Sequence, residues 1–199
     1  MVFVIHQLEA SKPTNTGRVA ARCLPNSAIV YRGWAPGDDA GSPALRARPP
    51  VAPTAIDAPG AQRLMLFPHP TATPLSEWRG CSQPIVLLVP DGTWKQAARM
   101  RARLAPDPRA IPCVSLPASD DRKRMRTPTA PARLATLEAV AHALGILEGP
   151  EVERALLRVY RIMTERTLWS NGRISAADVT GGIPAGVQSH DPLSLRRAG

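Results

Sequence analysis

The residues best suited to chemistry in this 199-residue sequence are Asp91-Gly92-Thr93-Trp94. Asp91 can act as a general base, as a ligand for an amine, or as a turn-forming side chain. Asp-Gly is a common turn pair, so on spacing alone the turn role stands first. Gly92 lets the backbone approach a ligand closely or take a positive φ. If a helix begins at Trp94, the N–H groups of its first turn can hold an anion such as a carboxylate. Taken alone, Trp94 reads as a core side chain ahead of a stacking platform. A second concentration is basic: Arg122, Lys123, Arg124 and Arg126 are crowded together, and Lys95, Arg99 and Arg103 recur at i, i+4, i+8. His69, alone in a turn-rich stretch, reads as a surface residue ahead of an acid or base. Cys23, Cys81 and Cys113 are odd in number and widely spaced, with no Cys-x-x-Cys pair. That pattern suggests reduced thiols and neither a disulfide framework nor a zinc knuckle.

The elements that must position these groups follow from periodicity. Ile85 to Val89 is wholly apolar and bounded by Pro84 and Pro90, as expected of a strand buried on both faces. From Trp94 the period becomes helical, with Trp94, Ala97, Ala98 and Leu104 on one face and the basic residues on another. Thr93-x-x-Gln96 has the form of a capping box, with Thr93 as N-cap. Asp91 and Gly92 then fall in a tight turn between a strand's carboxyl end and a helix amino terminus, where ligands sit in open α/β sheets. Val2 to Ile5, Ala28 to Tyr31, Leu64 to Phe67 and Cys113 to Leu116 supply four more strands. A helix is expected from Thr16 to about Cys23, with Thr16 as a possible N-cap; Asn15 or Thr16 could instead point into a pocket. Ser76 to Gly80 suits a helical turn. An amphipathic helix carries Leu134, Leu137, Val140, Ala141, Leu144 and Leu147 and stops around Gly145. Pro150 opens a final helix whose buried stripe is Val152, Leu156, Val159 and Met163. Ala35 to Gln62 is rich in Pro and Gly, without a sustained period, and reads as a mobile loop. Beyond Ser170 the chain is Gly- and Pro-rich and is expected to be loosely ordered. Strands alternating with helices predict an α/β single domain with a mostly parallel sheet of about five strands and flanking helices.

Composition bounds the partners. The length suits one domain, and no apolar run approaches a membrane span. The start lacks a basic leader, so a cytoplasmic protein is expected. Lys and Arg number 25 against 16 acidic residues, a net charge of +9. Such a domain attracts polyanions, and the clustering of the basic residues favours nucleic acid over a merely solvated surface.

Asp91-Gly92-Thr93-Trp94 after an apolar strand, followed by Gln96-Ala97 and a basic helix, resembles the signature of the DTW-domain family. Three further pieces match in order. They are His6-x-x-Glu9 with Lys12, Asn15, Thr16, Gly17 and Arg18; Leu66-Phe67-Pro68; and Arg124-x-Arg126-x-Pro128 with Thr136-Leu137-Glu138-Ala139. The resemblance implies a fold related to the SPOUT methyltransferases, with a carboxyl-terminal trefoil knot. It implies a tRNA-uridine aminocarboxypropyltransferase that uses S-adenosylmethionine as co-substrate and tRNA as acceptor. Leu66, Phe67, Pro68, Asp91, Gly92, Thr93, Trp94, Leu116, Thr136, Leu137 and Glu138 would then form the co-substrate pocket. Arg126 would pair with the co-substrate carboxylate. Asp91 would be the base, while Lys95, Arg99, Arg122, Lys123 and Arg124 would hold RNA phosphates. Many family members carry an amino-terminal Cys cluster; the chain begins after it, so no zinc is expected. Ala135 stands where the family often has Ser, and Gln7 where Pro is frequent. Two other classes fit the same features: an S-adenosylmethionine-dependent RNA methyltransferase of related fold, and a non-catalytic RNA-binding protein.

Overall fold

In a computed structural model, residues 1–32, 58–105, 111–117 and 134–188 are described. Within them the strands are β1 (Val2–His6), β2 (Ala28–Arg32), β3 (Gln62–Leu66), β4 (Thr73–Pro74), β5 (Ile85–Asp91) and β6 (Cys113–Ser115). The helices are α1 (Thr16–Cys23), α2 (Trp94–Leu104), α3 (Thr136–Leu147) and α4 (Pro150–Ser170). The strands form one sheet in the order β2-β1-β5-β3-β6-β4, and every pairing among the described residues is parallel. The α/β class and the parallel sheet therefore agree with the sequence reading. The strand count does not: β4 is a sixth. Its two residues, Thr73 and Pro74, add to β6 and carry no apolar alternation that would announce a strand.

Successive side chains of a strand point to opposite faces, and here both faces are covered. Phe3, Ile5, Leu64, Leu87, Val89 and Val114 pack with α1, α3 and α4. Val2, Val4, Met65 and Leu88 face the other way, against Ala97 and Met100 of α2. Each fully buried side chain of this kind contributes about 1.5–3 kcal/mol. The stripe expected on α2 is corrected at Trp94 and at Ala98, both exposed. Met100 joins Ala97 on the face that meets the sheet.

Helix boundaries follow their caps. Asn15, and not Thr16, caps α1: its Oδ1 accepts from the Arg18 amide at 2.8 Å. The capping box on α2 forms as expected; the Gln96 amide reaches Thr93 Oγ1 at 3.4 Å and the Thr93 amide reaches Gln96 Oε1 at 2.7 Å. The third helix runs past Gly145 to Leu147. Gly145 sits inside it because Glu153 of α4 fills the space a Cβ would need, and His142 Nδ1 lies 2.5 Å from the same carboxylate. The chain turns instead at Gly149, whose φ of 116° suits glycine, and Pro150 then opens α4. Strand ends also shift. The central strand continues through Pro90 to Asp91, β3 begins at Gln62 and ends at Leu66, and β6 ends at Ser115. The turn expected at Ser76 to Gly80 is a 3-10 turn at Leu75–Trp78. Most of the Pro-rich stretch from Ala35 lies outside the described residues. After α4, Val179 is buried, and the Thr180 amide donates to Glu165 at 2.7 Å.

Candidate active site

Because all strands run the same way, their carboxyl ends share one edge of the sheet. Neighbouring strands β1 and β5 send their helices to opposite faces, α1 to one and α2 to the other. A crevice opens outside the strand ends at such a switch point. Asp91 stands there, opposite Ile5 in the register. It is the last residue of the central strand, where the sequence placed it in the turn that follows.

Three residues from two segments far from it in sequence close on its carboxylate. Asn15 caps α1 with its oxygen, and its Nδ2 donates to Asp91 Oδ2 at 2.5 Å. The Thr136 hydroxyl, on the first residue of α3, donates to Asp91 Oδ1. Gly17 passes so near that a Cβ there would lie 2.7 Å from Oδ2 and 2.8 Å from Cγ. A side chain at position 17 would displace the carboxylate, which is the physical requirement for glycine at that position. Asp91 is only 5% exposed. Burial is the main influence on its acidity and raises the carboxyl above the ordinary 3.8, while the bonds from Thr136 and Asn15 oppose the rise. Glu9 adds to it and Lys12 subtracts. A carboxylate shifted this way is a better proton acceptor near neutral pH than a solvated one.

Next to this clasp, His6 ties the ends of β1 and α2 together. Its Nδ1 accepts from the Leu8 amide at 3.2 Å and lies 3.1 Å from Gln96 Nε2. Both neighbours are N–H donors, so the ring proton belongs on Nε2. Gln96 thereby serves the cap of α2 and the end of β1 at once. Trp94 is 38% exposed, and its ring centroid lies 5.6 Å from that of buried Phe67, tilted by 56°. The reading of Trp94 as core is thus corrected, since its side chain is exposed although it contacts Phe67.

The remaining expected site residues fall as follows. Gly92 and Thr93 are exposed at the turn, and Pro68 is exposed after β3. Leu66 and Leu116 are half-buried against the core. Leu137 is fully buried in that core. Glu138 accepts from the Ala135 amide at 3.3 Å, a helix-capping contact. Lys95, Arg99 and Arg103 are exposed on α2. Arg122, Lys123, Arg124 and Arg126 lie outside the described residues. His69 bonds Thr71 in a local turn, Nδ1 to Oγ1 at 2.8 Å. Among the described residues no group of three His, Cys, Asp or Glu could hold a metal ion. No described helix is long and apolar enough to cross a membrane.

The link between His6 and Gln96 was invisible in the sequence, since nothing in the spacing of residues 90 apart pairs them. Asn15 as the partner of Asp91 was visible only as a polar side chain that could point inward. A cavity of about 560 Å³ lies elsewhere, at the opposite edge of the sheet. Its wall includes Leu24, Trp78, Ile85, Leu144, Leu147 and Glu148.

A parallel six-stranded sheet with helices on both faces defines the chain as an α/β protein. Within that class the chain belongs to the DTW-domain family, whose model matches residues 1–168. It is 32% identical over 125 residues to tRNA-uridine aminocarboxypropyltransferase 2 of Drosophila melanogaster. The match covers 60% of this chain and 47% of the fly protein, so the chain spans about half the length of that relative. No solved structure matches.

Proposed function

We propose that the chain is a tRNA-uridine aminocarboxypropyltransferase. In this reading the 3-amino-3-carboxypropyl group of S-adenosylmethionine passes to N3 of a uridine in tRNA, and methylthioadenosine is released. The observation that carries it is the buried Asp91 carboxylate, clasped by Asn15 and Thr136 at the switch point of a chain in this family. The similarity to the fly enzyme supports the same reaction.

The chain's groups suit that substrate pair. Uridine N3 must lose a proton to become a nucleophile, and a carboxylate raised by burial is an apt acceptor. The sulfonium of S-adenosylmethionine supplies a leaving group ready-made, so positioning dominates: N3 must meet the γ-carbon and not the methyl carbon. Phe67 and Trp94 offer an apolar aromatic wall. Leu66, Pro68, Gly92, Thr93, Leu116 and the backbone of Thr136 to Glu138 would complete the pocket, and Arg126 would pair with the co-substrate carboxylate. Lys95 and Arg99, exposed beside the crevice, would hold RNA phosphates with Arg122, Lys123 and Arg124. Residues 1–170 form the DTW domain in this reading, 171–199 a carboxyl-terminal tail, and a SPOUT-like trefoil knot is part of it by resemblance.

Product analysis tests the proposal. Incubation with tRNA and S-adenosylmethionine is expected to release methylthioadenosine; S-adenosylhomocysteine would instead mean methyl transfer. Asp91→Asn should bind both substrates yet lose about 10²–10⁴-fold in single-turnover rate. The loss should shrink as pH rises and more uridine ionises unaided. A folded, saturated Asp91→Asn protein with near-normal rate would remove Asp91 from the chemistry.

A further inference from the structure

We propose that Thr136 is a catalytic residue that relays the uridine N3 proton to Asp91, an inference that rests on the proposed transfer reaction. Asp91 is 5% exposed, and each of its oxygens already receives a donor. Thr136 is half-buried and is the first residue of α3, so it is less enclosed than the carboxylate it serves. The two donors differ in chemistry. The Asn15 amide can give a hydrogen bond but cannot pass a proton on, since that would leave a high-energy amide anion. A hydroxyl donates one proton while its lone pairs accept another. With its own proton directed at Asp91 Oδ1, the Thr136 oxygen presents lone pairs away from the carboxylate.

The step balances. The N3–H bond breaks and its proton bonds to Thr136 Oγ1, while the Oγ1 proton moves to Asp91 Oδ1. Thr136 ends as a neutral hydroxyl, Asp91 as a neutral acid, and N3 keeps the electron pair. That pair forms the bond to the γ-carbon as the carbon–sulfur pair leaves with sulfur. Asp91 later returns its proton to solvent. Burial, which raises the affinity of Asp91 for a proton, favours the direction of this transfer.

The test compares Thr136→Ser and Thr136→Val with the full-length wild type in single-turnover transfer, with tRNA and S-adenosylmethionine saturating. Serine keeps a hydroxyl and should stay within about tenfold of wild type. Valine keeps the shape without the hydroxyl and should lose about 10²–10⁴-fold, with the deficit narrowing as pH rises. Combining Thr136→Val with Asp91→Asn should cost no more than either change alone, because residues of one relay act as a unit. A wild-type proton inventory in mixed light and heavy water should be curved, reporting two protons in flight. A linear inventory overturns the relay even if the valine variant fails to fold. So does a valine variant with wild-type rate, a serine variant as slow as valine, or a deficit that tracks lost melting temperature and ignores pH. A wild-type chain that releases no methylthioadenosine overturns the reaction itself and the relay with it. An active wild type with a full-rate valine variant overturns the relay alone.

Discussion

The two edges of the sheet solve different problems with the same strands. At the carboxyl edge, β5 ends in Asp91, and the space around it is filled: an amide, a hydroxyl and a glycine Cα occupy its surroundings. At the amino edge, β5 begins at Ile85 beside a cavity of about 560 Å³ with Trp78, Leu144 and Leu147 in its wall. The seven residues of β5 separate the two by about 20 Å. Volume and chemistry therefore lie apart. Polar groups held by donors and pushed from their ordinary acidity mark the carboxyl edge. A mixed lining marks the other, with Asn26, Gln83 and Glu148 beside its apolar side chains.

The contrast can be broken at either edge. The largest stability effect is expected from Leu144→Ala, which deletes a nearly buried side chain at the cavity wall. Denaturant unfolding should show a loss of about 2–5 kcal/mol. Single-turnover rate measured where the variant is still folded should not change; a parallel fall in rate would mean the edges are not independent. Gly17→Ala should be milder in stability, about 1–3 kcal/mol for forced overpacking. Its added methyl would press on the Asp91 carboxylate, so transfer should slow by at least about tenfold, the equivalent of about 1.4 kcal/mol in the barrier. Wild-type rate in that variant would show that the carboxylate's position is not critical. The smallest effect belongs to neither edge. Glu165 accepts from Arg161 Nε and the Thr180 amide, each at 2.7 Å, and these bonds hold its carboxyl down to about 2. A depressed carboxyl stabilises the fold fully above its unfolded value of 4.5 and loses that contribution as pH falls towards 2. The stability gap between wild type and Glu165→Gln should therefore be open at neutral pH and close through that acid window. A gap that is constant with pH would show that ionisation of Glu165 is not what anchors the Thr180 segment.

Local physics made much of this legible. An apolar run between prolines read as a strand covered on both faces, and Thr93-x-x-Gln96 read as a cap before a helix; both elements are present. What the sequence could not carry were contacts between distant segments. Asp91 read as a turn residue because Asp-Gly favours turns, yet pairing with β1 extends the strand through it. Thr16 read as a cap because threonine caps helices, yet Asn15 does so while its amide meets Asp91. Gly145 read as a stop because glycine ends helices, yet Glu153 of the next helix fits over it. In each case tertiary packing overrode a correct local preference. The basic residues from Arg122 to Arg126, the strongest polyanion signal in the sequence, lie outside the described residues.

The distances along the chain between the clasping residues bear on how the clasp comes to be assembled. Asn15 precedes Asp91 by 76 residues, and Thr136 follows it by 45. Both loops must close before the carboxylate is held, and contacts of such separation are costly and slow to form. During synthesis, with the amino terminus emerging first, Asp91 leaves the ribosome before its α3 partner exists. A nascent chain, or any fragment ending before residue 136, carries the signature tetrapeptide without its complete clasp. The complete clasp around Asp91 is therefore gained only once α3 has been made and its contact with the strand end closes.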